Sequence, residues 1–159
     1  MANLFLASEI LEINIIEERN GAAYYISLSE STKNKELAKA AAEIAEQEKT
    51  HEKRFTKMLD QVRAREPEES YAGEFNSYIQ ALMNEKMFPD EEAARIAAMN
   101  KSDEDAIYIA LKTEEATLKI LNSLKENVDS SEMKYVDLTV KEEQDHVARL
   151  NQILKNLQQ

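Results

Sequence analysis

The sequence predicts an all-α fold, a four-helix bundle of two antiparallel hairpins joined by a long, partly helical crossover. Three observations predict it. Gly and Pro occur only twice each in 159 residues, so helix breakers are scarce. Ala, Glu, Leu and Lys are abundant, while the β-branched and aromatic runs that strands need are absent. Apolar residues recur at helical spacing in four long segments, two on either side of a long connection.

The first helix is expected from about Asn3 to Ser29, on the apolar pattern Leu4, Leu11, Ile15, Ala22 and Tyr25. Ser31-Thr32-Lys33-Asn34 makes a short polar turn. The second helix follows from about Lys35 to Arg65, with Leu37, Ala41, Ile44, Ala45, Phe55, Met58 and Leu59 inward and Pro67 ending it. Between Glu66 and Lys101 the pattern changes to two short helices, about Tyr71–Asn84 and Asp90–Met99, separated by Phe88-Pro89. Ser102 with Asp105 reads as an N-cap, opening a third long helix from about Asp103 to Asn127. Val128-Asp129-Ser130 turns the chain. The fourth long helix runs from about Ser131 to Asn156, with Val136, Val140, Val147, Leu150 and Leu154 inward. A connection over about 66–102 suits a crossover along the length of a bundle. The chain, 1–159, reads as one domain.

Composition narrows the function classes. Hydrophobic residues make up 43%, enough for one core. The formal net charge of -11 repels phosphates, so neither nucleic acid nor an anionic membrane is expected as a partner. The absence of Cys excludes disulfides, thiolate-bound zinc, rubredoxin-type iron and iron–sulfur clusters. The opening residues lack a basic region and turn polar too early for a signal peptide, and no apolar stretch is long enough to cross a membrane. A cytoplasmic protein is expected.

The chain has two histidines, and each has a Glu three residues before it: Glu48-Lys49-Thr50-His51 and Glu143-Gln144-Asp145-His146. Residues at i and i+3 share a helix face, close enough to bind one metal or bridge to its neighbour. One such pair would ordinarily be a solvated face. With Glu at about one position in seven, both pairs arise by chance with odds of roughly 2%. Both carboxylates also lie on apolar stripes. Ala41, Ile44, Ala45 and Phe55 surround Glu48, and Val136, Thr139, Val140 and Leu150 surround Glu143. A buried carboxylate without compensation is costly, so a partner is required.

The partner helices carry Glu in the same predicament. Glu18 has Leu11, Ile15, Ala22 and Tyr25 on its stripe, and Glu114 has Ile107, Ala110, Leu111, Leu118 and Leu121. Their neighbours fit less well: Glu17 has Asn20 and Gly21 beside its stripe, and Glu115 has Lys112, Lys119 and Asn122 on its own. Axial level gives a further test. Glu18 and Glu48 are centred on residue 33, inside the first turn, and Glu114 and Glu143 are centred inside the second. Each then lies about 22 Å from its turn at 1.5 Å rise per residue. An offset of 95 maps Glu48, His51, Arg54 and Leu59 onto Glu143, His146, Arg149 and Leu154, and an offset of 96 maps Glu18 onto Glu114, so the hairpins read as copies. Four carboxylates and two neutral imidazoles balance two divalent ions, and this donor set suits iron or manganese.

These residues resemble the ferritin-like di-iron carboxylate proteins, with Glu18 on the first helix, Glu48-x-x-His51 on the second, Glu114 on the third and Glu143-x-x-His146 on the fourth. The stretches Ala45-Glu46-Gln47-Glu48-Lys49-Thr50-His51-Glu52-Lys53-Arg54-Phe55 and Glu18-Arg19-Asn20-Gly21-Ala22-Ala23-Tyr24-Tyr25 are similar to rubrerythrins. The resemblance implies a ferritin-like bundle with two iron ions, manganese or a mixed pair being the alternatives. Glu48 and Glu143 would bridge the metals, Glu18 and Glu114 would be terminal ligands, and His51 and His146 would bind one metal each. It further implies reduction of hydrogen peroxide or dioxygen in oxidative-stress defence, with a homodimer or higher homo-oligomer as the assembly.

Rubrerythrins usually carry a rubredoxin domain with four Cys. This chain has no Cys, so electrons would come from a separate donor such as a rubredoxin-type protein. Rubrerythrins also place an extra Glu three residues after the third-helix ligand. Here that position is Thr117, and the plain four-Glu, two-His set is closer to bacterioferritin and to minimal rubrerythrin-like proteins. The competing functions are a ferritin-type ferroxidase or iron-storage protein and a metal-free structural bundle. Tyr25 shares the Glu18 stripe and could donate a hydrogen bond to the site or relay an electron, with core packing as the plainer reading. Gly21, one turn after Glu18, either leaves room beside the metals or lets two helices approach closely.

Overall fold

A computed structural model of the chain describes residues 6–66, 77, 81 and 88–159. Five helices are described: α1 (Ala7–Ser31), α2 (Lys35–Arg63), α3 (Glu91–Ala98), α4 (Asp103–Lys125) and α5 (Ser130–Leu157). The family fold expected from the sequence, an all-α four-helix bundle, is the fold observed. The helix expected at about Tyr71–Asn84, along with Leu4 and Pro67, falls outside the described residues apart from Ser77 and Ala81.

The helix ends follow local chemistry. The α1 helix opens at Ala7, later than expected, because the Glu9 carboxylate reaches back to accept the Leu6 N–H at 2.9 Å. It closes two residues later than expected, at Ser31, where the Ser29 and Ser31 hydroxyls donate to carbonyls three residues back. Asn34 caps α2 by accepting from the Leu37 N–H, Asp90 caps α3 through Ala93, and Ser102 caps α4 through Asp105. Asp129 and Glu132 form a capping box at the start of α5. The α2 and α4 helices each end two residues short of expectation, at Arg63 and Lys125, as the chain tightens into turns. Asn100 adopts a positive φ of 56°, which lets the chain reverse between α3 and α4.

In the bundle α1 packs on α2 and α4, and α5 packs on α4 and α2, so neighbouring long helices are antiparallel. Contacts at the two ends fix the sense of the crossover. Thr32, in the first turn, donates to Asp103 at the start of α4 at 2.6 Å. Arg65, just beyond α2, pairs with Asp129 at the start of α5 at 2.7 Å. The connection therefore travels the full length of the bundle. Its helix α3 lies on α1, where the Ser27 hydroxyl donates to the Arg95 carbonyl and Ala94 and Ala98 are buried. With α2, α3 and α4 around it, α1 is buried on most of its circumference, which is why Tyr24 on its second face stacks on Phe88 at 5.3 Å.

The core divides into two apolar layers. One, near the first turn, gathers Leu28, Leu37, Ile44, Ile107 and Leu150. The other, near the second turn, gathers Leu11, Phe55, Leu59, Leu121 and Val136. The inward residues expected from the stripes are buried among the described residues, except Leu111, Leu118 and Val147, which are half-buried. Polar side chains fill the space between the layers.

Candidate metal centre

All six residues singled out in the sequence converge between the apolar layers. Glu18, Glu48, His51, Glu114, Glu143 and His146 are each at most 3% exposed. They form two overlapping groups, Glu18 with Glu48, His51 and Glu143, and Glu48 with Glu114, Glu143 and His146. Within each group one donor atom per residue lies within 4.8 Å of the others. Glu48 and Glu143 belong to both.

Glu143 presents one oxygen to each half. Its Oε1 stands 2.9 Å from His51 Nδ1, and its Oε2 stands 2.9 Å from His146 Nδ1. Glu18 Oε2 is 3.2 Å from His51 Nδ1, while Glu48 Oε1 and Glu114 Oε1 are 3.2 and 3.6 Å from His146 Nδ1. The imidazoles lie nearly parallel, 5.9 Å apart. Several of these short approaches lack hydrogen-bond alignment. Both Glu143 oxygens, Glu48 Oε1 and His146 Nδ1 are buried without a hydrogen-bond partner among the described residues.

The electrostatics follow from crowding. Burial first, and then the neighbouring carboxylates, push Glu18, Glu48 and Glu114 well above the usual carboxylate range. Burial would push Glu143 up as well, but the imidazoles of His146 and His51 outweigh it and hold it well below. Burial would lower His51 and His146, yet the surrounding carboxylates win and raise both. In so buried a cluster, negative charge calls for protons or cations to balance it.

Other residues support the six. The Asn14 amide donates to Glu18 Oε1 at 3.1 Å from one turn earlier on α1. The Tyr25 hydroxyl donates to Glu114 Oε1. Burial and nearby carboxylates keep that phenol well above its ordinary range, so it stays a donor. Tyr25 also packs edge-on against Tyr24. Two further tyrosines, Tyr108 and Tyr135, are exposed, at 46% and 43%. At Gly21 an added Cβ would stand 2.7 Å from Glu48 Oε2, so the glycine leaves room for that carboxylate.

The distal imidazole nitrogens are also engaged. His51 Nε2 lies 3.0 Å from Glu142 Oε2, and Arg54 donates to the same oxygen at 2.8 Å and to Thr139 Oγ1 at 2.6 Å. Burial tends to raise Glu142, but Arg54 outweighs it and holds the carboxylate below its usual range. His146 Nε2 lies 2.7 Å from Gln47 Oε1. Sequence reasoning passed over Asn14, Gln47, Arg54 and Glu142 as site residues. Gln47 and Glu142 could have been found, since each directly precedes a Glu-x-x-His and the offset of 95 maps one onto the other.

The sequence-predicted neighbours Glu17 and Glu115 stay outside the cluster. Glu115 is exposed. Glu17 is 1% exposed on the second face of α1, with neither oxygen hydrogen-bonded among the described residues. Burial pushes its carboxyl up to about 8, and nearby Asn20, whose amide donates to the Phe88 carbonyl at 3.0 Å, opposes this weakly.

A solved structure described as a ferritin-like diiron-carboxylate protein from Thermotoga maritima superposes with a TM-score of 0.72, covering 98% of each chain at 23% identity, which shows a shared fold. No curated protein matches the sequence. The family model described as Rubrerythrin matches residues 9–154, nearly the whole bundle. The chain belongs to the rubrerythrin family.

Proposed function

We propose that this chain, acting as one unit over 1–159, is a di-iron carboxylate oxidoreductase. It reduces hydrogen peroxide or dioxygen with electrons from a separate donor such as a rubredoxin-type protein. The observation that carries the reading is Glu143, which offers one oxygen toward each imidazole while both oxygens lack a hydrogen-bond partner among the described residues. A distance this short without alignment suits a shared cation better than a shared proton. Four carboxylates and two imidazoles with few other donors nearby suit two divalent ions of the iron or manganese type. Glu18 and His51 would hold one ion, Glu114 and His146 the other, with Glu48 and Glu143 between them.

When bound, two irons supply the ferrous–ferric couple that delivers electrons to the oxidant. The chain's own residues prepare the place. The apolar layers above and below exclude water, so charges inside interact strongly. Asn14 and Tyr25 orient the terminal carboxylates by hydrogen bonds. Tyr25 also holds a proton beside Glu114, where a reduced oxygen species would need one.

Thr117 in place of the extra rubrerythrin Glu favours a second reading, a bacterioferritin-type ferroxidase in which iron is the substrate and the assembly is a cage. The metal-free structural bundle is disfavoured by the orphaned buried polar atoms. Supporting a homodimer or small homo-oligomer over a cage is the long crossover carrying α3 along the outside of α1. A cytoplasmic location is proposed with it, and no helix among the described residues is long and apolar enough to cross a membrane.

Stopped-flow oxidation of anaerobically iron-loaded protein, combined with size-exclusion chromatography, tests this reading. The expectation is faster oxidation by peroxide or dioxygen than of free iron, with a small particle. A particle of about 24 subunits, as the cage class implies, would shift the assignment to storage.

A further inference from the structure

The pseudo-twofold relation between the hairpins is broken at one pair of positions. The residue before each paired Glu reaches across to the histidine of the other hairpin. From α2, Gln47 accepts from His146 Nε2 at 2.7 Å; from α5, Glu142 accepts from His51 Nε2 at 3.0 Å. The geometry repeats, but one acceptor is a neutral amide and the other a carboxylate. Both imidazoles face the carboxylate cluster through Nδ1, so Nε2 carries the proton in each when Nδ1 binds a metal. A carboxylate behind an imidazole fixes that tautomer and raises the donor strength of the ring; an amide does so less, and can turn to present its NH2 instead. Arg54 pins Glu142 in place, bonded at once to Glu142 and Thr139, with the Arg54 and Glu142 side chains only 18% and 27% exposed. Gln47 is exposed and has no such clamp among the described residues. The matching arginine, Arg149, turns instead to Glu43 at 2.6 Å.

From this juxtaposition we infer that Glu142 is a positioning residue that makes the two metal positions unequal: the His51–Glu18 position takes a divalent cation first and holds it more tightly, while the His146–Glu114 position is the weaker, exchangeable one. The inference rests on the two-metal reading above. Asymmetry extends to the terminal carboxylates, where the Asn14 amide serves Glu18 and the Tyr25 hydroxyl serves Glu114.

Anaerobic titration with cobalt(II), followed by its visible absorption and with helicity checked by circular dichroism, tests it. The native chain is expected to bind in two steps separated by about tenfold or more. His51→Ala should remove the tight step and His146→Ala the weak one. Glu142→Gln should weaken the tight step by about 10–100-fold and leave the weak step nearly unchanged. In the exchange variant Glu142→Gln/Gln47→Glu, the tight step should reappear and now be lost with His146→Ala rather than His51→Ala. A charge acting at long range would move both steps together, so a shift of both by the same factor overturns the inference. So does a tight step that Glu142→Gln leaves intact, or one that stays with His51 in the exchange variant. If the native chain binds no cobalt, the two-metal reading itself fails, and this inference with it.

Discussion

Gly21 faces Glu48 so closely that one added methyl group would stand 2.7 Å from the Glu48 Oε2 oxygen. The contact is with the far end of a flexible side chain, so Gly21→Ala should fold. In a helix interior Ala is favoured over Gly by about 1 kcal/mol, so the metal-free variant should be as stable as the native chain or slightly more so. Its Glu48 carboxylate must turn away, however. Metal affinity should fall by about tenfold or more, as seen when ligand orientation is lost. Thermal unfolding with and without ferrous iron would check both halves.

Tyr25→Phe keeps the ring and removes one hydroxyl. Glu114 Oε1 then loses its donor inside a buried cluster. The metal-loaded protein should lose about 1–3 kcal/mol, the cost of an unsatisfied buried acceptor. Urea unfolding of loaded native and variant protein gives this difference. An unchanged midpoint would assign Tyr25 to packing alone.

Glu17 supplies a pH dependence separate from the cluster. Its carboxyl titrates at about 8 when folded, against an ordinary value of 4.5. A raised folded value means full stability below pH 4.5, decline as pH rises from 4.5 to 8, and no further change above. Glu17→Gln removes that decline. Native and variant metal-free protein should unfold alike at pH 4.5, and the variant should be more stable at pH 8.5 by on the order of 2–5 kcal/mol. Chemical unfolding at the two pH values decides this. A constant difference would show that burial of Glu17 does not control its ionisation.

Much of this arrangement was legible in the residues. The four long helices followed from apolar spacing and scarce breakers; the Glu-x-x-His spacing marked Glu48, His51, Glu143 and His146, and stripe position with equal distance from two turns added Glu18 and Glu114. Charged groups on apolar stripes are legible because burying them demands a compensating partner. The hydrogen bonds to the distal imidazole nitrogens were not. The offset of 95 pairs Gln47 with Glu142, but that each reaches the histidine of the opposite hairpin depends on how α2 packs on α5. Glu17, rightly set aside in favour of Glu18, still has apolar neighbours in Ile10, Ile13 and Tyr24. Its stripe is apolar because α1 has a second buried face, under the crossover, which a two-faced helical pattern does not distinguish from the bundle core. The helix ends at Arg63 and Lys125 moved by two residues because turn tightening depends on tertiary contacts.

The most direct test of the central claim counts metal. Protein reconstituted anaerobically with ferrous iron and freed of excess should hold two irons per chain, the number set by the two overlapping donor groups. The double variant Glu48→Ala/His146→Ala should hold far less while keeping its helicity. Two irons per chain retained in that variant would contradict the account.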